Sequence, residues 1–270
     1  MTPRAPITIL PTHEVTNQPA PLGALHLFKT DLPLREAVHR EGGGWATERL
    51  EKLGHVAGRT ETFALADKAN RHKPELHAFD RYGQRIDEVE FHPAYHALMD
   101  MAISHEIPSI AWTANNPGHV VHTALEYLFA EVEGGVCCPV TMTYASVPVL
   151  RRSPVLRDEW LPKVLSPIYD PRMIPAADKP GVTIGMAMTE KQGGSDVRAN
   201  TTRAAPLEDG WYRLDGHKWF CSAPMSDAFL TLAQSTGGLT CFFVPRWRPD
   251  GQRNPFFIQR LKNKLGNWSN

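Results

Sequence analysis

The hydrophobic period of this chain changes once, near Gly181, and that change limits what the chain can fold into. Upstream, apolar residues recur at i, i+3, i+4 and i+7, the spacing of a helix with one buried face. Tyr95, Leu98, Met99, Ala102 and Ile103 follow it after His92-Pro93. So do Val120, Val121, Ala124, Leu125, Leu128, Phe129 and Val132, with Asn116 as the expected cap, Pro117 in the first turn and Gly134-Gly135 as the stop. Further helices are predicted over 32–40 (capped by Asp31), 46–53, 60–70 and from Pro154, with Pro162 cutting the last one short. Pro148 argues against a long helix over 142–150, and Asp80-Arg81-Tyr82-Gly83 reads as a turn.

Downstream of Gly181, Val182, Ile184, Met186 and Met188 alternate with Thr183, Gly185, Ala187 and Thr189, the period of a strand. More strands are predicted over 199–205, 211–215, 217–222, 228–234, 239–244 and 256–261. The predicted fold is α+β. An all-helical domain spans residues 1–180 and opens with an extended proline-rich arm over 1–30. An incomplete antiparallel β domain, of barrel or sandwich type, spans 181–270. No closing element follows Leu265-Gly266-Asn267, so an unpaired apolar edge and a loose end after Leu261 are expected.

Composition narrows the classes. With 42% apolar and 21% charged residues the chain is globular rather than disordered. No apolar run reaches the ~18 residues of a membrane span, and the N-terminus lacks the apolar core of a secretory signal. Cys137, Cys138, Cys221 and Cys241 form no C-x-x-C, so reduced thiols, a cytoplasmic location and no membrane partner are expected. Net charge is zero, yet residues 181–270 carry 11 Lys+Arg against 7 Asp+Glu, with Arg246, Arg248, Arg253, Arg260, Lys262 and Lys264 in one run. That run is either a solvated face or one turned toward phosphates.

Several reactive arrangements are missing. There is no G-x-S-x-G elbow and no P-loop. His92 and His96 have i, i+4 spacing without the intervening glutamate of a metalloprotease, so a helix cap is expected there and no metal site is predicted. His119 and His122 are expected on the solvated side of their helix, and Cys221 and Cys241 inside strands. The informative pair is the stretch 184–197 with the stretch 216–222. Thr189, Gly193, Gly194 and Ser195 form a loop able to present bare N–H groups and hydroxyls to an anion. Trp219 adds an indole face. Together they suit a flat, polar-edged cofactor with a phosphate tail. A plain β-turn and a core tryptophan account for the same residues.

Thr189-Glu190-x-x-x-Gly194-Ser195-Asp196, followed some two dozen residues later by Gly216-x-Lys218-Trp219, resembles the flavin-binding signature of acyl-CoA dehydrogenases. Met188 through Val197, Asn200-Thr201-Thr202, Gly216 through Phe220 and Lys264-Leu265-Gly266-Asn267 are similar to its alkylation-response, AidB-type branch. Arg35-Glu36-Ala37-Val38 and Phe91 through His96 extend the resemblance over nearly the whole chain. The resemblance implies helical, β and second helical domains in that order, with this chain truncated before the third. It implies FAD, contacted by Met186, Met188, Thr189, Gly194, Ser195, Trp219, Phe220, Cys221 and Ser222. Lys191 stands where most of these dehydrogenases have proline, as in the AidB-type branch. Cys221 stands at an often hydroxylic position, for which Ser222 can substitute.

The implied reaction is α,β-dehydrogenation of an acyl-CoA-like substrate. Its glutamate base is expected beyond Asn270, so no catalytic residue is assigned and the chain alone is expected to be inactive. Glu190 is expected to hold the loop. A homotetramer, and contact with duplex DNA through the full-length protein, are implied as well. Two other readings remain: a DNA-associated protective flavoprotein with vestigial dehydrogenase activity, and a non-catalytic truncated fragment.

Overall fold

A computed structural model describes residues 17–19, 22–114 and 117–270 of the chain. Most of the expected arm, and the expected cap Asn116, lie outside them. The helices are α1 Leu27–Thr30, α2 Leu32–Arg40, α3 Thr47–Ala57, α4 Thr60–Arg71, α5 Pro93–Ser104, α6 Ile110–Thr113, α7 Gly118–Ala130, α8 Gly134–Leu150, α9 Pro154–Glu159 and α10 Leu161–Val164. None is long and apolar enough to cross a membrane. Capping follows the sequence: the Asp31 carboxylate accepts the Leu34 N–H at 2.8 Å, and His92 Nδ1 accepts that of Ala94 at 3.1 Å. Leu50, Leu53, Leu98, Leu125, Leu128 and Val136 form the centre of the helical core. A second cluster, with Val147, Leu150, Ile184 and Leu230, fastens α8 to the sheet.

The expectation of an all-helical first part needs correction. Strands β1 Glu75–Phe79 and β2 Arg85–Glu90 form an antiparallel hairpin there. The expected turn between them exists, with the Asp80 carboxylate accepting the N–H groups of Tyr82 and Gln84 at 2.8 Å. The strands escaped notice because both are short and their outer residues polar.

Helix α8 overturns two further expectations. Gly134 and Gly135 open it rather than ending α7, because the Glu133 carboxylate caps the N–H groups of Gly135 and Val136 at 3.1 and 2.6 Å. The helix also runs through Pro139 and Pro148. A proline removes one N–H and frees the carbonyl four residues earlier. Both freed carbonyls have substitutes: Tyr144 C=O accepts the Trp112 indole N–H at 3.0 Å, and Gly135 C=O accepts the Asn270 amide. His122 is buried rather than solvated; its Nδ1–H donates to Ile107 C=O at 2.7 Å and its ring stacks on Tyr144.

The second part is a five-stranded sheet of β3 Ile184–Ala187, β4 Arg203–Pro206, β5 Tyr212–Asp215, β6 Ala228–Ser235 and β7 Gly238–Pro245. The sheet is mixed, where a purely antiparallel one was expected. Strand β7 pairs antiparallel with β6 over its whole length. Along the other edge of β6, β3 runs parallel to its first half (Ile184 beside Ala228), and β4 joins it in parallel at Arg203 beside Gln234. Period-two alternation identifies strands but not their direction. The turn residues fix only the hairpins β4–β5 and β6–β7.

Residues 217–222 and 256–261 form no strand. Cys221 therefore sits in a loop, and Cys241 is exposed on β7. The expected loose end is also corrected. Trp268 N–H donates to Asn70 at 3.0 Å, and buried Ser269 donates to Glu133 at 2.8 Å. Leu265 is nevertheless fully exposed.

Candidate functional site

Strands β3 and β4 lie end to end on one edge of β6, and the chain between them, residues 188–202, leaves the sheet as a loop. Its departure is fastened by Thr231 Oγ1, which donates to Ala187 C=O at 3.2 Å, and by Asn200 Nδ2, which donates to Met188 C=O at 2.9 Å. A tight turn follows, with Glu190 and Gly193 exchanging N–H···O bonds of 3.3 and 3.0 Å. Gly193 has φ +147°, where a side chain is strained. Gly194 lies so close to Thr189 that a Cβ would stand 2.5 Å from its Oγ1.

Glu190 holds this loop. Its carboxylate is fully buried and accepts from Thr201 N–H and Oγ1 at 2.7 and 3.0 Å, and from Thr202 N–H and Oγ1 at 3.0 and 2.5 Å. Gln192 and Lys218 donate to it at 2.6 and 2.9 Å. Burial alone would raise its pKa, but the bonds from Thr202, Thr201 and Lys218 outweigh that and hold it far below the usual carboxylate range. It stays ionised and takes no proton near neutral pH, so its structural role agrees with the sequence expectation.

Lys218 ties the loop to the second stretch. Its ammonium also donates to Leu232 C=O at 2.8 Å. The next residue, Trp219, donates its N–H to Thr189 C=O at 2.8 Å. This bond sets the indole beside the loop. Trp219 and Phe220 keep 38% and 41% of their surface exposed, so the indole is not a core tryptophan. Cations rim both rings: Lys191 and Arg260 lie 5.3 Å from the Trp219 ring centre, and Lys262 lies 4.1 Å from that of Phe220.

The structure thus gathers Thr189, Gly194, Trp219 and Phe220. Met186 and Met188 are half-buried on the Ile184 face of β3, packed against the cluster that α8 covers. Ser195 is exposed in the loop. Cys221 and Ser222 are half-buried in the loop after Phe220; burial pushes the Cys221 thiol up to about 12, which leaves it protonated.

Asn200, Lys218, Arg260 and Lys262 belong to the site and were not singled out. Gly216-His217-Lys218-Trp219 and the basic run pointed toward three of them; Asn200 gave only the motif Asn-Thr-Thr. The basic run itself is not one face. Arg246 is buried, donating to Ser226 C=O at 3.1 Å, and Arg248 pairs with Asp250 at 3.2 Å.

Two features of the loop ask for a ligand. Among the described residues, the N–H groups of Gly194, Ser195 and Asp196 have no protein acceptor, a run of three donors at an exposed turn. Asn200 is buried, and its Oδ1 has no donor among the described residues. Consecutive amides, an open indole and a cationic rim fit a ring system carrying phosphates.

Comparison with known proteins gives the setting. Residues 17–171 match the family described as the adaptive response protein AidB N-terminal domain, and residues 185–270 match the acyl-CoA dehydrogenase middle domain. The chain is 50% identical over 262 residues to the putative acyl-CoA dehydrogenase AidB of Escherichia coli (strain K12), covering 96% of this chain and 48% of that protein. It is 30% identical over 221 residues to acyl-CoA dehydrogenase family member 11 of Caenorhabditis elegans, covering 77% of this chain and 35% of that one. The chain spans about half the length of the first relative and less of the second. Among solved structures it is similar to the Bd2924 apo-form (TM-score 0.80, 29% identity, 92% of this chain and 51% of that one). It is also similar to Caenorhabditis elegans ACDH-11 in complex with C11-CoA (TM-score 0.78, 27% identity, 95% of this chain and 46% of that one).

Proposed function

Because the chain belongs to the acyl-CoA dehydrogenase family, in its AidB branch, we propose that the loop and the indole form half of an FAD site serving an acyl-CoA-like substrate. The observation that carries this reading is the run of unpaired N–H groups at Gly194, Ser195 and Asp196, fastened beside the open face of Trp219 by the Trp219–Thr189 bond.

In this reading Trp219 covers the isoalloxazine ring and Thr189 bonds its edge. The amides of Gly194 and Ser195, with the Ser195 hydroxyl, take the pyrophosphate, and Arg260 and Lys262 balance its charge. Met186 and Met188 support the ring from the strand. Phe220 and Ser222 border it, and the protonated Cys221 thiol offers only a weak donor. When bound, the flavin supplies the acceptor for the β-hydride of an acyl thioester during α,β-dehydrogenation. In this reading the α-proton would go to a base other than Glu190, whose oxygens are taken by its donors and whose basicity they depress. The residues named here would bind and orient the flavin. An acyl-CoA-like substrate draws support from the relative solved with C11-CoA. Tetramer formation and a cytoplasmic location stay part of the proposal through the family alone. Duplex DNA finds less here than the basic run suggested, since Arg246 is buried and Arg248 is paired.

The test is titration of the purified chain with FAD, followed by quenching of tryptophan fluorescence and by the flavin spectrum. Saturable quenching is expected, with affinity falling about tenfold or more in Trp219→Ala, the loss of one stacking contact of ~1.4 kcal/mol. If wild-type and Trp219→Ala quench alike, the reading fails.

A further inference from the structure

A cavity of about 140 Å³ lies where the helical part meets the sheet. It is bounded by Phe91 and Met99 on the α5 side, Pro139 of α8, Tyr169 and Lys179 of the connecting segment, and Met225 and Asp227 before β6. Thr183, which precedes β3, lines it, whereas the loop described above leaves the far end of β3. A cavity of similar volume, about 150 Å³ and wholly apolar, stays dry and takes up benzene. This one is of that size but polar on one side.

The polar side holds a buried ammonium whose donors are not all used. Lys179 Nζ stands 2.6 Å from Asp227 Oδ1, with both side chains more than nine-tenths buried. Asp227 is used on both oxygens, since Oδ2 accepts the Thr183 N–H at 2.9 Å. Lys179 is not: an ammonium has three N–H donors, and among the described residues one is taken. Opposite, His96 Nδ1 lies 2.9 Å from the Tyr169 hydroxyl. Burial lowers the pKa of the imidazole and raises that of the phenol, so both are neutral. One hydrogen bond joins the hydroxyl and Nδ1, and Nε2 has no protein partner among the described residues. Unused N–H donors on the buried Lys179 ammonium cost stability, so they call for an occupant. An anion is disfavoured. The ion pair is already neutral, and Asp227, Asp170 and Asp100 all press negatively on Tyr169.

We propose that this cavity binds a small neutral carbonyl compound, an amide or ketone of about benzene size. Lys179 donates to its oxygen, His96 Nε2 bonds its polar end, and Phe91, Met99 and Met225 enclose its alkyl part.

The test uses the full chain with methyl-labelled methionine and no flavin, so its outcome does not depend on the proposed cofactor. Met99, Met173 and Met225 line the cavity among eight methionines. Titration with propanamide is expected to shift these three methyls saturably and to leave the other five in place. Propionate should bind at least about tenfold more weakly. Lys179→Met with Asp227→Leu, which removes both charges together, should abolish the shifts while a thermal melt stays cooperative. Should that variant not fold, His96→Leu serves, with an expected loss of about tenfold. The proposal is overturned if wild-type methyls do not shift saturably, if all eight move, or if propionate binds as well as propanamide. Unchanged binding in the folded variants also overturns it.

Discussion

Two lysine–carboxylate pairs are buried beside strand β6, at opposite ends of β3, and they differ in completeness. Glu190 and Lys218, 2.9 Å apart, belong to a network in which Thr201, Thr202, Gln192, Leu232 and Met188 satisfy the rest of both groups. Lys179 and Asp227, 2.6 Å apart, share a cavity wall and leave ammonium protons unused. The first pair fixes backbone and so shapes a site at a distance. The second faces open space and can be a site itself. Burial and charge are alike in the two; the count of satisfied partners separates structure from recognition.

The largest expected effect tests the complete network. Glu190→Gln replaces an acceptor-only group with one that presents an amide to Lys218, and should destabilise by about 3–5 kcal/mol, read from urea unfolding. Removing both charges sharpens the contrast. Glu190→Leu with Lys218→Met still strands the donors of Thr201 and Thr202 and should cost about 2–4 kcal/mol. Lys179→Met with Asp227→Leu strands only the Thr183 N–H, and the relief of burying two charges offsets that, so it should cost no more than about 1 kcal/mol. Equal costs for the two double variants would erase the distinction. Gly194→Ala should cost about 1–3 kcal/mol, because its Cβ meets the Thr189 side chain, and should weaken FAD binding as well.

The smallest effect expected is in the pH profile. The folded pKa of Glu190 lies below its ordinary 4.5, so its contribution is complete above that value and is lost as pH falls below it. Burial raises the pKa of Asp227 above its ordinary 3.8 despite Lys179, so its contribution has the opposite slope and grows as pH falls through the folded value. Urea midpoints of Glu190→Gln and Asp227→Asn against pH should therefore depart from wild type in opposite directions.

Much of the loop was legible in sequence because its constraints are local. The paired glycines, the acidic residue before them and the aromatic two dozen residues on all sit in a recognisable order. Asp31 and His92-Pro93 marked helix starts for the same reason. What stayed hidden depends on partners far along the chain. The prolines of α8 are tolerated because Trp112 and Asn270 take the carbonyls they free, and no local window contains both halves of either bond. The parallel setting of β3 depends on which edge of β6 it meets. Arg260 and Lys262 were visible as charge, but their station over Trp219 and Phe220 arises from a segment with no regular structure. His122 sat on a helix face that reads polar, yet α6 and Tyr144 cover it.

The end-to-end placement of β3 and β4 on one edge of β6 also orders assembly in time. The β6–β7 hairpin, closed by the turn between Ser235 and Gly238, joins near neighbours and forms on the microsecond scale of hairpins, about 1–10 μs. Ile184 must find Ala228, and Arg203 must find Gln234, across much longer stretches of chain. Until they do, β6 is an open strand edge carrying Phe229 and Leu230. The loop of residues 188–202, strung between these two strands, is expected to order only once both have paired. Before then the chain is most prone to wrong pairing along this edge.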